Sequence, residues 1–169
     1  MTREEFIGVL EEKGYSYEIE GDKLVITSKD DVFLYSLTSL PPGVEFRNGG
    51  GVYLNYLTSI PTGVVFRNGK DVYLGLLTSL PPGVEFNNGG FVGLNSLKTL
   101  PPDVEFKNGG DVFLNSLTSL PPGVEFKNGE DVYLGLLIGR WFNEWESNIE
   151  GVDSKRLLNL MISKGVFER

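Results

Sequence analysis

The chain of 169 residues contains no cysteine and no histidine. The first absence excludes disulfide staples, thiolate metal sites and thiol nucleophiles. The second deprives zinc of a preferred ligand and a Ser/His/Asp device of its base. Carboxylate chemistry of the glycosidase kind survives both absences, but it needs two acids in a cleft, and a regular stack of repeats offers ridges and shallow faces. No enzymatic activity, cofactor or bound metal is therefore expected. No apolar run reaches the length of a membrane span. The opening MTREEFIGVLEE carries four glutamates without the basic start or apolar stretch of a secretory signal, so a cytoplasmic protein is expected.

Basic stripes are missing too, which argues against direct binding to nucleic acid. The formal net charge is −8, from 23 acidic and 15 basic residues. Residues 1–30 contribute −4, 31–130 contribute −3 and 131–169 contribute −1. A duplex as long as the repeats would present about 15 phosphates, so the charge distribution argues against mimicry of DNA as well.

What the chain has in abundance is repetition. Five twenty-residue segments run from Asp31 to Glu130, beginning DVFLYSLTSLPPGVEFRNGG and ending DVFLNSLTSLPPGVEFKNGE, and a truncated sixth opens at Asp131. A unit this short cannot close a core alone, so each coil must bury its apolar face on its neighbours. Val32, Leu34, Leu37, Leu40, Val44 and Phe46 mark the interior of the first coil, and Val52, Leu54, Leu57, Ile60, Val64 and Phe66 that of the second. Val32 with Leu34, and Val44 with Phe46, alternate as in short strands. Leu37 and Leu40 suit a helical or 3₁₀ turn.

Two corners recur. Pro41-Pro42-Gly43 fixes a turn whose glycine accepts positive φ, and Asp103 replaces that glycine in the fourth coil. The second corner is Asn-Gly, at Asn48, Asn68, Asn88, Asn108 and Asn128. Its asparagines suit a stacked amide ladder along the axis or, alternatively, a recognition row. Asn-Gly between strands also admits a stacked-hairpin topology beside the parallel solenoid.

The recurrent L-T-S-L-P, at Leu37 to Pro41, Leu77 to Pro81 and Leu117 to Pro121, resembles the leucine-rich-repeat superfamily. Leu37 and Leu57 occupy the point where short bacterial members of that superfamily carry asparagine. The whole chain, including the ending NIEGVDSKRLLNLMISKGVFER, also resembles uncharacterised repeat proteins of bacteria and bacteriophages, a resemblance that implies no activity and no functional residue.

Thr2 with Glu5 reads as a capping box for a helix with Phe6, Ile7, Val9 and Leu10 on one face and Gly14 as its stop. YSYEIE and KLVITS flank Gly21-Asp22 as a hairpin. Beyond Leu137, Trp141, Phe142 and Trp145 read as a seal, and Asp153 as the cap of a final helix ending at Gly165. The expected fold is a β-rich repeat solenoid with helical caps at both ends. Residues 1–30 form the first cap, 31–137 the solenoid and 138–169 the second cap, in one cooperative domain about 25 to 30 Å long over its repeats.

Three outward rows remain. Phe33, Tyr53, Tyr73, Phe113 and Tyr133 form an aromatic row, broken at Gly93, that admits either structural stacking or protein binding. Glu45, Glu85, Glu105 and Glu125 run beside Arg47, Arg67, Lys107 and Lys127, and read as a solvated face of mutual neutralisation. Asp31, Asp71, Asp111 and Asp131 suggest calcium only weakly, because Gly51 and Phe91 interrupt them. Tyr35, Tyr56, Phe91 and Lys98 depart from the repeat and join the aromatic row as candidate partner-binding residues. The expected function is a non-enzymatic protein-interaction module. A purely structural or assembly element and a glycan-binding protein are the alternatives, and the oligomeric state is open.

Overall fold

The structure, a computed structural model, describes residues 1–135 apart from Asp103 and Pro122. The expected C-terminal cap, the end of the sixth repeat and the aspartate that replaces a corner glycine lie outside the described residues.

Helix α1 (Arg3–Glu12) begins with the expected reciprocal cap: Thr2 Oγ1 accepts from the Glu5 amide at 3.1 Å and the Thr2 amide donates to Glu5 Oε2 at 2.7 Å. It stops at Gly14, whose φ of 72° lets the amides of Gly14 and Tyr15 donate back to Glu11 and Leu10. Phe6 and Leu10 are buried against the first coil, with Ile7 and Val9 packed beside them. Strands β1 (Tyr17–Glu20) and β2 (Lys23–Ile26) form the antiparallel hairpin. β2 then pairs in parallel with β4 (Val44–Phe46), so the stack begins on the second arm of the hairpin.

Each coil contributes two short strands to two parallel sheets. The seven-stranded sheet runs β1, β2, β4, β6 (Val65–Phe66), β8 (Glu85–Phe86), β10 (Glu105–Phe106), β12 (Glu125–Phe126). The six-stranded sheet contains β3 (Val32–Phe33), β5 (Val52–Tyr53), β7 (Val72–Tyr73), β9 (Val92–Gly93), β11 (Val112–Phe113) and β13 (Val132–Tyr133), in that order. Equivalent residues stand in register from coil to coil, as in Val32 with Val52 and Phe46 with Phe66. Pairing of every coil with the next in parallel overturns the stacked-hairpin alternative: the strands on either side of an Asn-Gly corner belong to different sheets. The chain is a parallel β-solenoid of about five turns.

The interior is a set of ladders. Every inward position expected in the first two coils is buried, and Phe46, Phe66, Phe86, Phe106 and Phe126 stack at centroid spacings of 5.3 Å with interplanar angles of 2° to 11°. Fully burying side chains of this size contributes about 1.5–3 kcal/mol each, a gain realised only when the neighbouring coil is in place. Between the sheets the Leu37 amide donates to Leu34 at 3.1 Å, and Leu57, Leu77, Leu97 and Leu117 repeat this single tight turn without extending it into a helix.

The corners work by different physics. Gly43, Gly63, Gly83 and Gly123 take φ of 73° to 79°, as the proline corner requires. The Asn-Gly glycines are needed for space instead. A Cβ at Gly69 would fall onto the carbonyl oxygen of Gly49, one at Gly89 onto that of Gly69, and so on up the stack.

The asparagines are buried to 1–3% exposure and do hold neighbouring coils together, but they do not bond to one another. Asn68 Nδ2 donates to the carbonyls of Lys70 and Asp71 in the corner it opens and of Gly50 in the coil before, at 3.0 to 3.1 Å, and Asn88 and Asn108 repeat the arrangement. Each of these carbonyls also accepts a backbone amide, from Lys70, Gly90 or Val52, and the Asn68 side chain adds a second donor that ties two coils together. A side-chain amide pair does occur elsewhere, where Asn115 Nδ2 donates to Asn95 Oδ1 at 2.7 Å.

Candidate interaction face

The six-stranded sheet turns its odd side chains outward in one register: Phe33, Tyr53, Tyr73, Gly93, Phe113 and Tyr133. Phe33 and Tyr53 stack at 4.7 Å, Tyr53 and Tyr73 at 4.8 Å, and Phe113 and Tyr133 at 4.8 Å. The row is not broken at Gly93. Phe91, two residues earlier, places its ring edge-on between Tyr73, at 4.7 Å, and Phe113, at 5.6 Å. In the second coil the arrangement is reversed: Gly51 lies under the Tyr53 ring, where a Cβ would come within 2.9 Å of it. Ring and glycine have exchanged places, which gives Phe91 a structural reason that the repeat alone did not supply.

Tyr35 joins the head of the row, 5.7 Å from Phe33 and 6.2 Å from Tyr53. Tyr56 stands in the turn after β5, exposed and without a ring partner among the described residues. Lys98 is also exposed, but it lies in the segment leading to the proline corner. Its amide donates to Thr78 and its carbonyl accepts from Thr118, and no ion pair or ring contact joins it to the aromatic row among the described residues. The structure thus brings together eight of the nine candidate residues on one sheet and the segments that flank its strands, and sets Lys98 apart.

The aspartates beside the row have work of their own. Asp31 Oδ1 accepts from the Gly51 amide at 2.7 Å, Asp71 Oδ1 from Phe91 at 3.0 Å, and Asp111 Oδ1 from Asp131 at 2.9 Å. Each caps the first amide of the following coil, which gives the alternation with Gly51 and Phe91 a physical basis. Their charge also reaches the rings. Burial, then the Asp31 carboxylate, push the Tyr53 hydroxyl above its usual pKa; burial and Asp71 do the same to Tyr73, and Asp111 leads the effect at Tyr133. At the lower edge Tyr15 Oη accepts the Phe33 amide at 2.8 Å and satisfies β3, which has no strand below it.

The opposite face corrects the expectation of a uniformly solvated ladder. Glu45 is 1% exposed because its neighbours in register, Val25 and Val65, are apolar, and because Lys23, Arg47 and Arg67 all fold onto it. Burial alone would raise its pKa; donation from Arg47 and Lys23 outweighs this and holds the carboxyl down at about 2. Glu105, paired with Lys107 and Lys127, is likewise held at about 2. Where Asn87 interrupts the cations, a surface depression of about 380 Å³ opens between Arg67, Glu85, Glu105 and Lys107. Its charges are already paired, Arg67 with Glu45 and Glu85, and Lys107 with Glu105.

Compared with protein-family models, with curated proteins and with solved structures, the chain matches none. No described helix is long and apolar enough to cross a membrane.

Proposed function

We propose that the chain is a non-enzymatic binding module that engages another protein through the outer face of the six-stranded sheet. The observation that carries this reading is where exposed apolar surface collects. Of the seven large apolar side chains left exposed among the described residues, Phe33, Tyr35, Tyr56, Leu76 and Tyr133 stand on this sheet or the turn after it. Ring contacts join Phe33 to Tyr133 along the same sheet, and a surface rich in tyrosine and phenylalanine is what interfaces use, because the rings bring large contact area at little cost in rotamer entropy. The scaffold beneath is regular, so the surface is presented already ordered.

The face-to-face stacking of the same rings supports a second reading, in which the row only stiffens the sheet. One experiment separates the two: capture from bacterial lysate with the wild type beside a Tyr53→Ser/Tyr73→Ser variant, both checked by circular dichroism. A protein enriched by the wild type and lost with the folded variant is the expected result. Equal enrichment by both, or none by either together with a lower melting temperature of the variant, assigns the row to architecture.

A further inference from the structure

The two faces of the stack differ in charge. Residues 31–130 hold nine acids and six bases. On the seven-stranded sheet Glu45, Glu85, Glu105 and Glu125 stand with Arg47, Arg67, Lys107 and Lys127, four against four, and their ion pairs close the account locally. The net −3 of the repeats therefore lies elsewhere. Asp31, Asp71, Asp111 and Glu130 stand at the corner that feeds the six-stranded sheet, with Lys70 as the base in that row, and Asp131 follows in the next coil. No ion pair engages Asp31, Asp71 or Asp111 among the described residues, and each spends one carboxylate oxygen on an amide.

Spacing adds a second constraint. Rings in register are 4.7–4.8 Å apart, so aspartates on alternate coils recur about every 9.5 Å along the stack. A polyproline II segment rises about 3.1 Å per residue with three residues per turn, which returns a side chain to the same face about every 9.3 Å. Phe33, Tyr53 and Tyr73 stack, as do Phe113 and Tyr133, with Phe91 edge-on between the two groups, and the row offers ring surface for prolines and for the methylene stems of long basic side chains.

We propose that this face receives an extended, proline-containing basic segment of the partner protein, with arginine or lysine at every third residue set against Asp31, Asp71 and Asp111. The inference rests on the binding-module reading and names the chemistry of its ligand. The test is fluorescence anisotropy with a labelled peptide of four Arg-Pro-Ser units, beside a Glu-Pro-Ser peptide and a peptide with arginine at every second residue. Asp71→Asn/Asp111→Asn is the diagnostic variant, since asparagine keeps an oxygen for the capped amide while removing the charge.

The expected result is binding of the Arg-Pro-Ser peptide alone, weakened about tenfold in the variant and by added salt. Absence of binding at millimolar peptide, undiminished binding to the variant, or equal binding of either control overturns the proposal. If a lysate protein is captured through Tyr53 and Tyr73 but the arginine peptide does not displace it, this inference falls and the binding module stands. If nothing is captured and no peptide binds, both fall.

Discussion

Asn68 shows how much of this molecule hangs on single side chains. Its Nδ2 serves three carbonyls in two coils, and its carboxamide is buried. Asn68→Ala takes away the second donor of three carbonyls that each keep a backbone amide, and is expected to cost about 1–2 kcal/mol in urea unfolding. Asn68→Asp keeps the shape but sets a carboxylate, which has no proton to donate, against three oxygens. It is expected to be the less stable of the two, and the reverse order would mean that the amide is turned the other way. The sequence made these asparagines conspicuous by repetition, yet repetition does not say what an amide faces. Glu45 was harder still. Its burial depends on Val25 and Val65 one coil to either side and on three cations from three coils, a conjunction that alternation within a coil does not contain.

At the scale of the coil, inward and outward positions, two strands and two corners were legible from period and turn chemistry, because each follows from local rules. The Asn-Gly corner admitted a hairpin for the same reason. Turn preference is a local property, whereas close approach of stacked backbones belongs to the pair of coils. A direct comparison follows from that difference. Gly69→Ala drives a methyl onto the Gly49 carbonyl oxygen, and is expected to cost about 2–3 kcal/mol by forcing the coils apart. Gly75→Ala meets nothing nearer than the Asn55 carbonyl oxygen at 3.6 Å, and should stay within about 0.5 kcal/mol. Equal melting temperatures for the two variants would remove the packing argument. The candidate site was legible as a row but not as a surface: Phe91 and Gly93 read as two departures from the repeat, and only the stack reveals one exchange between them.

For the molecule as a whole, stability grows by addition, since each coil rests on its neighbours and on little else. A second copy of residues 111–130 inserted after Glu130 repeats a junction that the chain already makes, with aspartate again following Glu130. The lengthened chain is expected to unfold cooperatively at a higher temperature, and a lower one would contradict nearest-neighbour stacking. The Asn-Gly corners also give the stack a chemical lifetime. In an open chain, a glycine after asparagine lets its backbone nitrogen attack the side-chain amide carbon with loss of ammonia, water then opens the cyclic imide to aspartate or its isomer, and asparagine is among the thermolabile residues. In the folded coil that nitrogen is committed: the amides of Gly49, Gly69, Gly89, Gly109 and Gly129 donate to the coil below, and the asparagines are buried. Folding thus shields the bond that ageing would cut. A coil that opens long enough to deamidate closes with a carboxylate in place of its donor, the same change as Asn68→Asp, so each opening risks becoming permanent.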